Sequence, residues 1–107
     1  MKYSESRTEF ITVAQTSELF PGECKIVTAK NRTLALYNVA GIFYATDNKC
    51  CHRNGPLGDG VLNGYVVTCP WHGWRFNVAN GECLLANQVR IATYPVQVVG
   101  KEIQVKI

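Results

Sequence analysis

Histidine is scarce in this chain: two in 107 residues, at positions 52 and 72. Long apolar runs are missing too, and none approaches the roughly 20 residues that a membrane helix requires. No stretch of twelve residues holds a helical period, and there is no internal repeat or linker. Charge comes without blocks: 11 basic and 8 acidic residues are interspersed, for a formal +3. That balance lacks the aromatic and basic interleaving that single-stranded nucleic acid requires, which argues against a nucleic-acid partner. The opening ten residues are polar and charged, unlike a secretory signal or an anchor. Five cysteines are an odd number, and thiols are safest in a reducing cytosol, so the expected location is cytoplasmic. A disulfide framework remains the alternative for so small a chain.

What is present is a β-rich pattern. Apolar residues make up 47%, enough for one folded domain spanning 1–107 with a modest core. Candidate strands are Phe10–Val13, Lys25–Lys30, Thr33–Val39, Ile42–Thr46, Tyr65–Thr68, Trp74–Asn77, Thr93–Val99 and Glu102–Ile107. The last alternates strictly, with Ile103, Val105 and Ile107 on one face and Glu102, Gln104 and Lys106 on the other. Turn signals separate the strands at Asn31-Arg32, Ala40-Gly41, Asn80-Gly81 and Gly100-Lys101. A short helical turn is expected at Thr16–Leu19, stopped by Pro21. The fold class is therefore all-β, a sandwich or barrel.

Residues 48–80 read differently. They hold five of the nine glycines, two prolines and both histidines, and predict a lobe of loops and short strands inserted between sheet strands. Within it, Cys50-Cys51-His52 and Cys69-Pro70-Trp71-His72 form two Cys/His clusters separated by sixteen residues. Residues two apart on extended backbone lean the same way about 6.5–7 Å apart, which suits ligands reaching two neighbouring metal atoms. Zinc modules favour tighter Cys-x₂₋₄-Cys and His-x₃₋₅-His turns, and Cys50/His52 breaks that pattern. A structural Cys₂His₂ zinc module stays open on the residues alone.

The Cys-x-His, sixteen-residue spacer and Cys-x-x-His arrangement resembles Rieske-type [2Fe–2S] proteins. The likeness extends through Gly55-Pro56-Leu57-Gly58-Asp59-Gly60, the run from Cys69 to Phe76, Asn80-Gly81 and Tyr94-Pro95-Val96. The N-terminal strands agree in length and pattern only. The resemblance implies a β-sandwich or barrel with an inserted cluster-binding lobe. It implies one [2Fe–2S] cluster per chain, with Cys50 and Cys69 on one iron and His52 and His72 on the other. It also implies that the two imidazole edges face solvent as the electron port. Two neutral ligands leave the oxidised core formally neutral, hence the family's potentials of about −150 to +300 mV, against about −400 mV for plant-type ferredoxins.

High-potential members carry a disulfide between the cluster loops and hydroxyls beside the cluster. Here the corresponding positions are Gly55 and Trp71, and Trp74 and Phe76, which implies the low end of the range. Cys51 replaces a usual Thr or Pro and is expected to point away from iron; Cys24 and Cys83 are expected to be small core residues. Trp71 and Trp74 are expected to shield the cluster and pack the loop. Lys49, Arg53 and Arg75 flank the site, either to steer an acidic partner or as a solvated rim near Asp47 and Asp59. With His52 and His72 spent on the cluster, none remains for the 2-His-1-carboxylate iron of an oxygenase. The implied role is thus an electron-transfer component without substrate chemistry. Its partners would be a flavin-dependent reductase as donor and an oxygenase or other oxidoreductase as acceptor. A small subunit of a nitrite-reductase-like complex is the alternative.

Overall fold

The computed structural model describes residues 9–50, 55–71, 73–86 and 88–107. Among these residues ten strands run in chain order: β1 Phe10–Gln15, β2 Cys24–Ala29, β3 Arg32–Val39, β4 Ile42–Asp47, β5 Val61–Asn63, β6 Val66–Thr68, β7 Arg75–Asn77, β8 Thr93–Tyr94, β9 Val96–Val99 and β10 Glu102–Lys106. They form three sheets, ordered β1-β10-β9, β2-β3-β4-β8 and β5-β6-β7, and every strand pair is antiparallel. No helix among the described residues is long and apolar enough to cross a membrane.

Tight turns set the registers. Ala29 pairs with Arg32 and Val39 with Ile42, leaving the two-residue loops Lys30-Asn31 and Ala40-Gly41. All four loop residues have positive φ, the backbone that follows the strand twist in a type I′ hairpin. A 3₁₀ turn at Thr16–Glu18 occupies the site of the expected helical turn.

Two strand expectations change. Thr93–Val99 is not one strand: Thr93 and Tyr94 pair with β4, whereas Val96–Val99 pair with β10. Pro95 stands at the break. Lacking an N–H, it ends one ladder and lets the chain pass to the next sheet. The segment Val61–Asn63 is a strand that alternation did not reveal, because three residues are too few to show a period. A second 3₁₀ turn, Leu57–Asp59, was likewise unmarked.

Strand β3 organises the interior. From Leu34 to Val39 it is buried on both faces, and successive side chains point opposite ways. Leu34 and Leu36 enter one core with Val27, Ala45, Ile103 and Val105, fulfilling the alternation seen in the C-terminal strand. Ala35, Tyr37 and Val39 enter a second core with Cys50, Leu57, Val67, Cys69 and Phe76. The lobe that carries both Cys/His clusters is therefore packed on the reverse side of the sandwich's central strand.

Candidate metal centre

The first cluster loop leaves the end of β4 and is tied down at once. The Asn48 amide donates to the Thr33 carbonyl at 3.3 Å, and the Asn48 carbonyl accepts the Leu57 amide at 2.8 Å. Its side-chain oxygen accepts the Gly58 amide at 2.7 Å. Next, Lys49 bridges Pro56, and the Cys50 amide donates to the Gly55 carbonyl at 2.9 Å. Gly58 is glycine for want of space: a Cβ there would stand 2.9 Å from the Ile26 nitrogen and the Lys25 carbonyl carbon. Thus the loop's return arm lies directly on β2.

The second loop leaves β6. The Cys69 amide donates to the Trp74 carbonyl at 2.7 Å, and the Trp71 amide points back to Cys69 Sγ at 3.4 Å. The two loops meet: Cys50 and Cys69 are 1% and 2% exposed and share one core, close enough for the Cys50 thiol to act on that of Cys69. A Cβ on Gly55 would collide with Cys69 Sγ and stand 3.3 Å from Trp71 Cβ.

Burial pushes the Cys69 thiol up, the Trp71 amide opposes this, and the neighbouring Cys50 adds to the rise. A buried thiol raised in this way gives up its proton readily only when a cation takes its place. With a metal there, the same pair becomes a ready thiolate clamp, so its chemistry fits the sulfur-bound end of an iron–sulfur cluster. Below it, Tyr37 is wholly buried, and its hydroxyl lies 2.9 Å from Thr46 Oγ1. Burial raises the Tyr37 phenol far above its usual value, the Thr46 contact opposes the rise, and charge on Cys24 or Cys69 would add to it.

Of the candidate ligands, then, the structure brings Cys50 and Cys69 together. His52 and His72 lie outside the described residues, as do Cys51 and Arg53. Cys24, Cys50, Cys69 and Cys83 are all free thiols. Cys83 is buried in the second core. Cys24 is half-buried, and its thiol donates to the Gly60 carbonyl at 3.4 Å. Trp74 packs against that core, but Trp71 is 48% exposed, so only one of the two indoles packs inward. Asn48 and Tyr37 escaped the sequence reading. An asparagine two residues before the first cysteine and an aromatic in a doubly buried strand were their only traces.

This architecture, two hairpin loops presenting paired thiols over an antiparallel sandwich, has known counterparts. The family model for the Rieske [2Fe–2S] domain matches residues 9–95. The chain belongs to that family, and its cofactor is a Rieske-type [2Fe–2S] cluster. It is similar to the ferredoxin component of the naphthalene 1,2-dioxygenase system of Pseudomonas putida, 36% identical over 100 residues, 92% of this chain and 96% of the relative. A ferredoxin of Sphingomonas yanoikuyae B1 superposes with a TM-score of 0.84 at 33% identity, covering 92% of this chain and 99% of the other. A chain from the complex of reduced oxygenase and oxidized ferredoxin in carbazole 1,9a-dioxygenase gives 0.83 at 33% identity, covering 91% and 92%. The zinc-module and nitrite-reductase-subunit alternatives are not favoured, since the family is an iron–sulfur one and the relatives are ferredoxin components.

Proposed function

We propose that this protein is the ferredoxin component of a dioxygenase-type system, taking one electron at a time from a flavin-dependent reductase and passing it to a terminal oxygenase, in the cytoplasm. The observation that carries the reading is the buried Cys50–Cys69 thiol pair within a chain of this family. In the proposed ligand set Cys50 and Cys69 hold one iron, and His52 and His72 the other. When bound, the cluster supplies a one-electron couple.

The chain's own residues supply the mounting. Asn48 fixes the base of the first loop, and the Trp71 amide donates toward the Cys69 sulfur. Phe76, Val67 and Leu57, all 0% exposed, exclude water from the sulfur side. Support for the oxygenase as acceptor comes from relatives that are themselves ferredoxin components of dioxygenase systems.

The test is iron and acid-labile sulfide analysis of anaerobically purified protein, with the EPR spectrum of its reduced form. Two irons and two sulfides per chain are expected, and Cys69→Ser should abolish both. Zinc without sulfide in wild-type protein would overturn the proposal.

A further inference from the structure

We propose that the cluster end of the molecule docks its redox partner through two unneutralised cations, Lys49 and Arg75, set around an apolar spot of Trp71, Leu84 and Leu85, and that the partner's matching face is rich in carboxylates. This deepens the electron-carrier reading above and rests on it.

Among the described residues, Lys25 pairs with Glu18 and Lys30 with Glu9, each at 3.2 Å, and Arg90 pairs with Glu82 at 2.8 Å, whereas Lys101 and Lys106 at the β9–β10 hairpin make no ion pair. Arg32 donates to the Tyr94 hydroxyl at 3.1 Å. Two further cations stand beside the cluster loops. Lys49 and Arg75 are exposed, and neither has a carboxylate within ion-pair reach among the described residues.

No local carboxylate forms an ion pair with either cation. Asp47 lines a cavity with Lys49 but accepts the Tyr94 hydroxyl at 2.5 Å, Glu82 holds Arg90, and Asp59 lies near Cys24, whose thiol is raised by burial first and then by that charge. Lys49 and Arg75 are thus left to pair with something outside the chain.

Backbone contacts join the patch into one surface. Lys49 bridges Pro56, and the neighbouring Gly55 abuts Trp71. Trp71 lies in the turn closed by the Cys69 amide on the Trp74 carbonyl. Arg75 follows, and its carbonyl accepts the Leu84 amide at 2.9 Å. Trp71, Leu84 and Leu85 are 48%, 51% and 51% exposed. An apolar centre with a charged rim is the anatomy of a transient interface, in which the rim sets encounter rate and partner choice. Bare cations around it select carboxylates.

The test uses the holoprotein, reduced anaerobically and mixed in a stopped flow with ferricyanide or with hexaammineruthenium(III). These oxidants carry opposite charge. Oxidation by the anion should slow as salt rises, and oxidation by the cation should quicken. Lys49→Glu and Arg75→Glu should each slow the ferricyanide reaction at least about threefold at low ionic strength. Lys101→Glu, the same charge change in the β9–β10 turn, should have a clearly smaller effect. A short oligoglutamate peptide should inhibit the wild type and spare the Lys49→Glu/Arg75→Glu double variant. If both rim variants behave like Lys101→Glu, or if the peptide leaves the wild type untouched, the proposal is overturned. Protein lacking iron and sulfide would instead refute the carrier reading itself, and that is seen in the visible spectrum before mixing.

Discussion

The side-chain oxygen of Asn48 accepts the backbone amide of Gly58 at 2.7 Å, across ten residues of chain that include the first cluster loop. With the Leu57 amide on the Asn48 carbonyl, one residue ties both arms of that loop together. Asn48 is 7% exposed, so Asn48→Ala would leave the Gly58 amide buried without a partner. Such a group costs about 1–3 kcal/mol. The expected result is a melting temperature lower by several degrees and faster loss of cluster colour on warming. Asn48→Asp keeps the acceptor and should restore most of both.

Much of this was legible because the signals were local. Each type I′ hairpin lies on or one residue from a turn expected at Asn31-Arg32 or Ala40-Gly41, and the alternation of Ile103 and Val105 marked their core face. The Cys/His spacing marked the lobe. What stayed hidden depends on contacts distant in sequence. The register of Asn48 on Gly58, the two-sided burial of β3 and the passage between sheets at Pro95 are set by neighbours that no period or motif records. The pairing of Cys50 with Cys69 was legible only as a family pattern, since nothing in a one-dimensional spacing says that two thiols touch.

The five cysteines should separate cleanly by role. Cys50→Ser and Cys69→Ser are expected to lose iron and sulfide, because the serine hydroxyl is a poor substitute for thiolate on iron. Cys51→Ser should keep both. Cys83→Ser should also keep the cluster, but at reduced stability. Its Sγ accepts the Leu85 amide at 3.4 Å, a long contact, and a buried hydroxyl would need a stronger partner. Cys24→Ser should be nearly silent, for its side chain already donates to the Gly60 carbonyl. Metal and sulfide content with thermal melts decides each assignment, and loss of the cluster in Cys51→Ser would move the ligand set by one residue.

Alkaline pH should weaken the fold through its tyrosines. Tyr37 and Tyr94 both have raised phenols, Tyr37 chiefly by burial. For Tyr94 burial again leads, followed by its hydrogen bond to Asp47 and the charge there. A phenol raised in the folded state stays protonated where the unfolded chain has already ionised. Its contribution is therefore complete below about pH 10 and is lost as pH climbs toward the folded value. Unfolding monitored from pH 8 to 11 should show stability falling above about pH 10. Tyr37→Phe should flatten that fall while costing about 1 kcal/mol at neutral pH for the lost contact with Thr46. An unchanged slope in that variant would mean that Tyr37 does not govern the alkaline limb.

The potential should sit low in the Rieske range for a reason visible in the second core. Phe76 is fully buried beside the thiols and has no hydroxyl. The Trp71 amide at 3.4 Å is a long contact to the Cys69 sulfur. Donors aimed at an iron–sulfur cluster stabilise the added electron, and a phenyl ring in place of a phenol supplies none. A redox titration should therefore give a midpoint below about +150 mV, within a family span of about −150 to +300 mV. Phe76→Tyr offers the missing hydroxyl at the position that bears tyrosine in high-potential relatives. It should raise the midpoint by about 40 mV if it makes one hydrogen bond of about 1 kcal/mol. A wild-type midpoint above that limit, or a Phe76→Tyr midpoint that falls, would show that other donors set the couple.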